Sequence, residues 1–144
     1  MKPSKGALII SWAAALLCMA AIFILSAQKG DESQELSDSI IIIFDLEFSS
    51  DFIRTCAHFL EYAGLSVLLY NALYRSYGYY RPFLSVIISA AYAVTDEIHQ
   101  LFVEGRACQI TDIIIDSIGA AAGISVLTAL IFIHQKIKRG KKHD

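Results

Sequence analysis

The feature that most constrains this chain is an uninterrupted apolar stretch, residues 7–27, which contains no charged side chain. An α-helix rises about 1.5 Å per residue, so about 20 apolar residues cross a hydrocarbon core of about 30 Å. Three further stretches of similar length are mostly apolar, at residues 53–73, 83–103 and 113–133. Because backbone groups inside hydrocarbon must be satisfied internally, all four stretches are predicted to be helices.

The overall composition is also that of a membrane protein. The 144 residues are 56% hydrophobic and 18% charged, whereas soluble domains have about 45–50% apolar and about 25% charged residues. These values exclude a soluble domain and a disordered chain, and three cysteines are too few and too odd a number for a disulfide-stapled fold. We therefore predict an all-α, polytopic membrane protein, with a single domain over residues 1–144 and four transmembrane helices.

The basic residues predict the orientation of these helices. Nine of the 12 Lys and Arg precede the first stretch, separate the second from the third, or follow the fourth. With four crossings all nine lie on one side, and the positive-inside rule makes that side cytoplasmic. Both termini are then inside, and the acidic loop 29–52 faces outward.

Ionisable side chains interrupt the ends of the last three stretches. Each costs about 2.5–3.5 kcal/mol on insertion, so such residues mark functional sites by default. Arg54, His58 and Glu61 have i, i+4, i+7 spacing, which places them on one helix face. The predicted topology brings the other stretches' polar residues to the same depth, so we expect an outward-facing polar pocket. Its candidate ligand-binding residues are Arg54, His58, Glu61, Asp96, Glu97, His99, Gln100, Arg106, Asp112 and Asp116.

Motifs along the whole chain carry a family resemblance. They are Ser26-Ala27-Gln28, the run from His58 to Tyr62, the run from Tyr92 to Gln100, Gly105-Arg106, Asp112, Asp116 and Gly119. Together they resemble the VanZ-like family, which is named for a bacterial membrane protein associated with resistance to the glycopeptide teicoplanin. The resemblance implies a multi-pass protein of the bacterial cytoplasmic (inner) membrane that acts near cell-envelope precursors and contributes to teicoplanin resistance. It implies no catalytic mechanism.

One interpretation of the pocket is binding. Arg54, His58, Gln100 and Arg106 would hold an anionic group, since the planar donors of a guanidinium suit phosphate or carboxylate. The carboxylates would repel that group unless they are protonated, paired or holding a cation. The expected partners are a membrane lipid, a cell-wall precursor or a glycopeptide-related ligand, and no nucleic acid.

The alternative interpretation is a metal-dependent intramembrane enzyme that acts on a lipid or cell-wall precursor. His58, Glu61, Asp96, Asp112 and Asp116 supply the imidazole and carboxylate ligands that suit a divalent metal. Such a metal would activate water or polarise a phosphoryl or acyl group. The sequence contains no HExxH, GxSxG or P-loop motif that would identify the reaction.

Two further interpretations remain open from the sequence. In a structural one, Arg54 or Arg106 neutralises Glu61, Asp96 or Asp112, and the charges hold the helices together. In the other, the acids and histidines form a proton or ion pathway. The inner halves of all four stretches are apolar, which favours a closed pocket over a pathway.

Overall fold

The computed structural model describes residues 4–45 and 47–140, and over these ranges the chain is all-helical, as predicted. The helices in chain order are α1 (Lys5–Ser26), α2 (Gly30–Phe44), α3 (Ser50–Tyr77), α4 (Pro82–Gln100) and α5 (Ile110–Gly140). Helices α1, α3, α4 and α5 coincide with the four predicted stretches. By length and composition, α1 and α5 are candidates for crossing a membrane. Membrane crossing by α3 and α4 remains a prediction, as does the orientation. Part of the basic charge behind that orientation, at residues 1–3 and 141–144, lies outside the described residues.

The helix ends follow local signals in the sequence. Ser4 and Ser49 precede α1 and α3, and each hydroxyl accepts a hydrogen bond from a main-chain N–H three residues on, at 3.2 and 3.3 Å. Pro82 begins α4, where its fixed φ suits a first helical turn. Gly78, with φ of 75°, ends α3 in the left-handed conformation that favours glycine.

The segment 29–52, predicted as an outer loop, folds largely as helix α2. Asp31 and Glu32 lie in its first turn, where acidic side chains stabilise the positive end of the helix dipole. Its buried positions are Ser33 and Ser37, on the face that packs against α3. The acidic composition of the segment concealed this helix, which covers one side of α3.

Helix α3 is the centre of the bundle, because α1, α2, α4 and α5 all pack against it. Tyr62, Leu65 and Leu69 of α3 form the core together with Ile22 of α1 and Ala93 of α4. These buried positions repeat at helical spacing along α3. The polar residues Arg54, His58 and Glu61 lie in the first turns of the same helix, toward the same side.

Helix α5 approaches α3 most closely at two glycines. A Cβ atom at Gly119 would meet the carbonyl oxygen of Phe59, and one at Gly123 would meet that of Ala63. Gly119 and Gly123 have the GxxxG spacing that allows two helices to approach closely, and here both helices belong to the same chain. This close approach also brings Asp116, one turn before Gly119, against the first half of α3.

Candidate functional site

A cavity of about 90 Å³ opens at the end of the bundle where α1 ends and α3 begins, which we call the polar end. Four predicted site residues line it: Arg54, His58 and Glu61 of α3, and Arg106 of the loop between α4 and α5. One water molecule needs about 10–15 Å³ of such space, so the cavity accommodates a group of phosphate size with water. Drug-sized ligands occupy about 300–1,000 Å³, so a whole glycopeptide does not fit.

Other parts of the cavity lining come from residues that the sequence analysis did not predict. Leu36 and Ile40 of α2 and Ile53 of α3 supply an apolar surface, and Ser33 and Ser37 add two buried hydroxyl groups. The spacing of Ser33, Ser37 and Ile40 along one helical face was the signal that could have identified this wall. The cavity is therefore amphiphilic, because both charged and aliphatic side chains line it.

Arg106 reaches the cavity because its loop is docked against the corner between α1 and α2. Its Nε donates a hydrogen bond to the carbonyl of Gln28 at 3.2 Å, and the N–H of Gly30 donates to the carbonyl of Glu104 at 3.1 Å. The main chains touch here, since a Cβ at Gly30 would meet the carbonyl oxygen of Gly105. Contacts between residues that are far apart in the sequence therefore position the guanidinium group of Arg106.

The two guanidinium groups influence each other electrostatically. Burial lowers the pKa of Arg106 from its ordinary value, and the positive charge of Arg54 lowers it further. The negative charges of Asp96, Glu97 and Asp112 act in the opposite direction and raise the pKa of Arg106. Because a guanidinium stays protonated in proteins, two like charges face the same small space. That arrangement favours an anion between them.

The ion pairs expected from the structural interpretation are not formed among the described residues. Neither arginine of the cavity pairs with Glu61, Asp96 or Asp112 there. Arg54 instead pairs with Asp51 at 3.3 Å on the exposed rim, and pairs of this kind contribute little to stability. Within the described residues, the two arginines of the cavity thus form no ion pair that links two helices.

Two of the predicted acids lie behind the cavity wall and are held by hydrogen bonds. Asp96 accepts bonds from the hydroxyl of Ser26 at 2.6 Å and from Nε2 of Gln100 at 3.3 Å. Glu97 accepts a bond from the main-chain N–H of Gln109 at 2.8 Å. Neither acid lines the cavity. The anion repulsion expected from the sequence is therefore reduced, because these carboxylates are set back from the opening.

Asp116 is the least satisfied of the buried acids. It is 0% exposed, and neither carboxylate oxygen has a hydrogen-bond partner. Its Oδ1 lies 3.7 Å from Nδ1 of His58, a distance that suits an ion pair but exceeds a direct hydrogen bond. Buried polar groups are normally hydrogen-bonded, so this pair is an exception that calls for an explanation.

The remaining predicted residues lie to the side of the cavity. The His99 ring packs on Phe23 with ring centroids 4.1 Å apart, and Asp112 is half-buried in the first turn of α5. Gln100 is buried beside Asp96. The structure therefore brings four of the ten predicted residues to the cavity and places the other six around it.

The alternative interpretation, a metal-dependent enzyme, requires several metal-ligating side chains to meet at one point. Within residues 4–45 and 47–140, no three His, Cys, Asp or Glu side chains are grouped so that they could hold a metal ion. Of the predicted set His58, Glu61, Asp96, Asp112 and Asp116, His58 and Asp116 approach each other as a pair. The described residues thus supply no ligand set for this alternative.

Comparison with known families identifies the family of the chain. The family model described as VanZ/LLP1 matches residues 11–133. The chain belongs to the VanZ/LLP1 family. The match includes all residues of the cavity and confirms the resemblance drawn from the sequence motifs. No curated protein and no solved structure matches the chain. Family membership and the two apolar helices together indicate a membrane protein.

Proposed function

We propose that this VanZ/LLP1 protein binds the anionic headgroup of a cell-envelope lipid in the cavity at its polar end. The observation that carries the proposal is the placement of Arg54 and Arg106, from two separate elements, on a cavity that three buried acids do not line. Guanidinium groups bind phosphate and carboxylate through paired hydrogen bonds. Their neighbour His58 supplies a further polar contact for the same headgroup.

The apolar wall favours a lipid over a soluble anion. Helix α2 presents Leu36 and Ile40 to the cavity, and its last turn leaves Ile42, Ile43 and Phe44 between 68% and 78% exposed. An exposed apolar run next to an acidic, polar segment suits a helix lying in the membrane interface. A lipid beside α2 would then place its headgroup in the cavity and its acyl chains along this surface.

The proposal includes the predicted topology. Four crossings by α1, α3, α4 and α5 put the basic segments in the cytoplasm and the polar end in the outer leaflet of the bacterial inner membrane. At that level the protein meets the lipid-linked precursors of the cell wall. Binding such a lipid is a route by which a family member would reduce sensitivity to teicoplanin.

Lipid binding by the purified protein tests the proposal directly. Native mass spectrometry would compare phosphatidylglycerol with phosphatidylcholine of the same acyl chains on the wild type, Arg54→Gln and Arg106→Gln. A hydrogen bond to a charged group contributes about 1.5–3 kcal/mol, so each variant should weaken anionic-lipid binding about tenfold or more. Arg75→Gln is the matched control, because Arg75 is bonded to Asn71 near the opposite end of α3.

Teicoplanin susceptibility tests the cellular part of the proposal. Cells that express the wild type should tolerate more teicoplanin than cells that express Arg54→Gln or Arg106→Gln at the same membrane level, and Arg75→Gln should resemble the wild type. Equal binding of phosphatidylglycerol by the wild type and by a double variant that carries both Arg54→Gln and Arg106→Gln would refute the binding proposal. Lipid binding without any effect on susceptibility would refute only the resistance role.

A further inference from the structure

His58 connects the cavity with the buried acid behind it. The residue lines the cavity, and its Nδ1 is buried and turned toward Asp116 at 3.7 Å. Nε2 is not among the buried atoms that lack a partner and makes no hydrogen bond within the described residues, so this nitrogen is available to the cavity that His58 lines. A carboxylate beside one ring nitrogen orients an imidazole and determines which nitrogen serves the other side.

Asp116 requires a partner at this position. A carboxylate that is 0% exposed and has no hydrogen bond carries a large desolvation cost unless it takes up a proton or a cation compensates it. The imidazolium form of His58 would supply that cation, and it would also make Nε2–H a donor into the cavity. The 3.7 Å separation leaves room for the pair to tighten when a ligand binds, as hydrogen bonds at functional sites often do.

Three cationic donors then surround the cavity: Arg54, Arg106 and His58. A phosphate monoester, or the terminal group of a diphosphate, presents three free oxygens and carries a charge of about −1.5 to −2 at neutral pH. A phosphodiester presents two free oxygens and a single charge. A terminal phosphate therefore matches the number and the charge of the donors better than a diester does.

We propose that the cavity selects lipids with a terminal phosphate over phosphodiester lipids, and that Asp116 positions His58 to donate from Nε2 to that phosphate. The inference rests on the proposed function, since it specifies the headgroup bound between Arg54 and Arg106. Asp116 acts through His58 and does not itself touch the ligand, because it does not line the cavity.

The test compares phosphatidic acid, a monoester, with phosphatidylglycerol, a diester, both with the same acyl chains, by native mass spectrometry of the full-length protein. The wild type should prefer phosphatidic acid by about tenfold, the contribution of one charge-assisted hydrogen bond. Asp116→Asn should lose this preference and still bind phosphatidylglycerol through the arginines. Glu35→Gln, an exposed acid-to-amide change on α2, is the matched control and should keep the preference.

A spectroscopic measurement keeps the test independent of the variant's stability. The ¹⁵N resonances of His58 in the wild type should shift on addition of phosphatidic acid and stay unchanged with phosphatidylcholine. Inorganic phosphate should displace phosphatidic acid only weakly, because it lacks the acyl chains that contact the apolar wall. Displacement at equal concentration would show that free phosphate is the ligand, and would overturn the lipid assignment.

The outcomes separate this inference from the proposed function. If the wild type binds phosphatidic acid and phosphatidylglycerol equally, and both better than phosphatidylcholine, the proposed function stands and the selectivity is wrong. A preference retained in Asp116→Asn, or His58 resonances insensitive to phosphatidic acid, would overturn the positioning role. No excess binding of either anionic lipid over phosphatidylcholine would refute the proposed function itself.

Discussion

The contact between α5 and α3 leads to a stability prediction for Gly119→Ala. A Cβ at this position would meet the carbonyl oxygen of Phe59, and the carbonyl carbon and Cα of the same residue lie 3.1 Å from it. These are main-chain atoms of a helix, so no side chain can rotate away. The two helices must therefore separate to accommodate a single methyl group.

The size of the effect follows from comparison with a second glycine. Overpacking of a well-packed contact costs about 1–3 kcal/mol, whereas alanine favours a helix over glycine by about 1 kcal/mol. Gly64, inside α3, has nothing within 4 Å of a Cβ, so Gly64→Ala carries the helix gain alone. The gain in helix propensity from glycine to alanine is the same in both variants, so it cancels when their stabilities are compared. Gly119→Ala should therefore be about 1–3 kcal/mol less stable than Gly64→Ala.

Denaturant-induced unfolding of the purified protein in detergent measures this difference. The single tryptophan, Trp12, is a natural probe, because its Nε1 donates to the hydroxyl of Ser76 at 3.0 Å and so reports the packing of α1 on α3. Equal unfolding free energies for the two alanine variants would refute the close contact at Gly119. Separation of the helices also moves Asp116 from α3, so Gly119→Ala should show a weaker preference for phosphatidic acid than Gly64→Ala.

Three further predictions concern the cavity and the topology. Glu61→Gln removes a carboxylate from the cavity wall. Even at the dielectric constant of water, two unit charges about 4 Å apart repel by about 1 kcal/mol, so loss of this repulsion should raise anionic-lipid affinity at least about fivefold. Unchanged or lower affinity in native mass spectrometry would contradict this prediction. Gly30→Val forces the main chain at Gly105 away and loosens the loop that carries Arg106, so anionic-lipid affinity should fall several-fold, and an unaltered affinity would show that docking of the loop is unimportant. Lys138→Cys, in a background without native cysteines, should react with an impermeant maleimide only after the cells are permeabilised, and labelling in intact cells would contradict the predicted topology.

The positions of four helices were predictable because their signals are local. Hydropathy over the stretches that became α1, α3, α4 and α5 depends on composition alone, and capping residues such as Ser49 and Pro82 act within one turn. Helix α2 was missed because its acidic surface resembled a solvated loop. Its buried face consists of the small residues Ser33 and Ser37, which carry little hydrophobic signal.

Helical spacing in the sequence also placed the candidate residues on shared faces, since i, i+4, i+7 positions such as Arg54, His58 and Glu61 align on any α-helix. That periodicity does not specify which residues meet a cavity. Asp96 and Arg106 were equal candidates by sequence, yet hydrogen bonds hold one behind the wall and direct the other into the opening.

The sequence by itself determined an all-helical membrane protein with ionisable groups collected at one end, because apolar length and charge are properties of each segment alone. The tertiary structure decided that Arg54, His58, Glu61 and Arg106 line the cavity and that Asp96, Glu97 and Asp116 do not. That division depends on the docking of α2 against α3 and of Gly105 against Gly30, contacts between segments far apart in the chain. Only folding brings these segments together, so local patterns of hydropathy and charge do not specify the contacts.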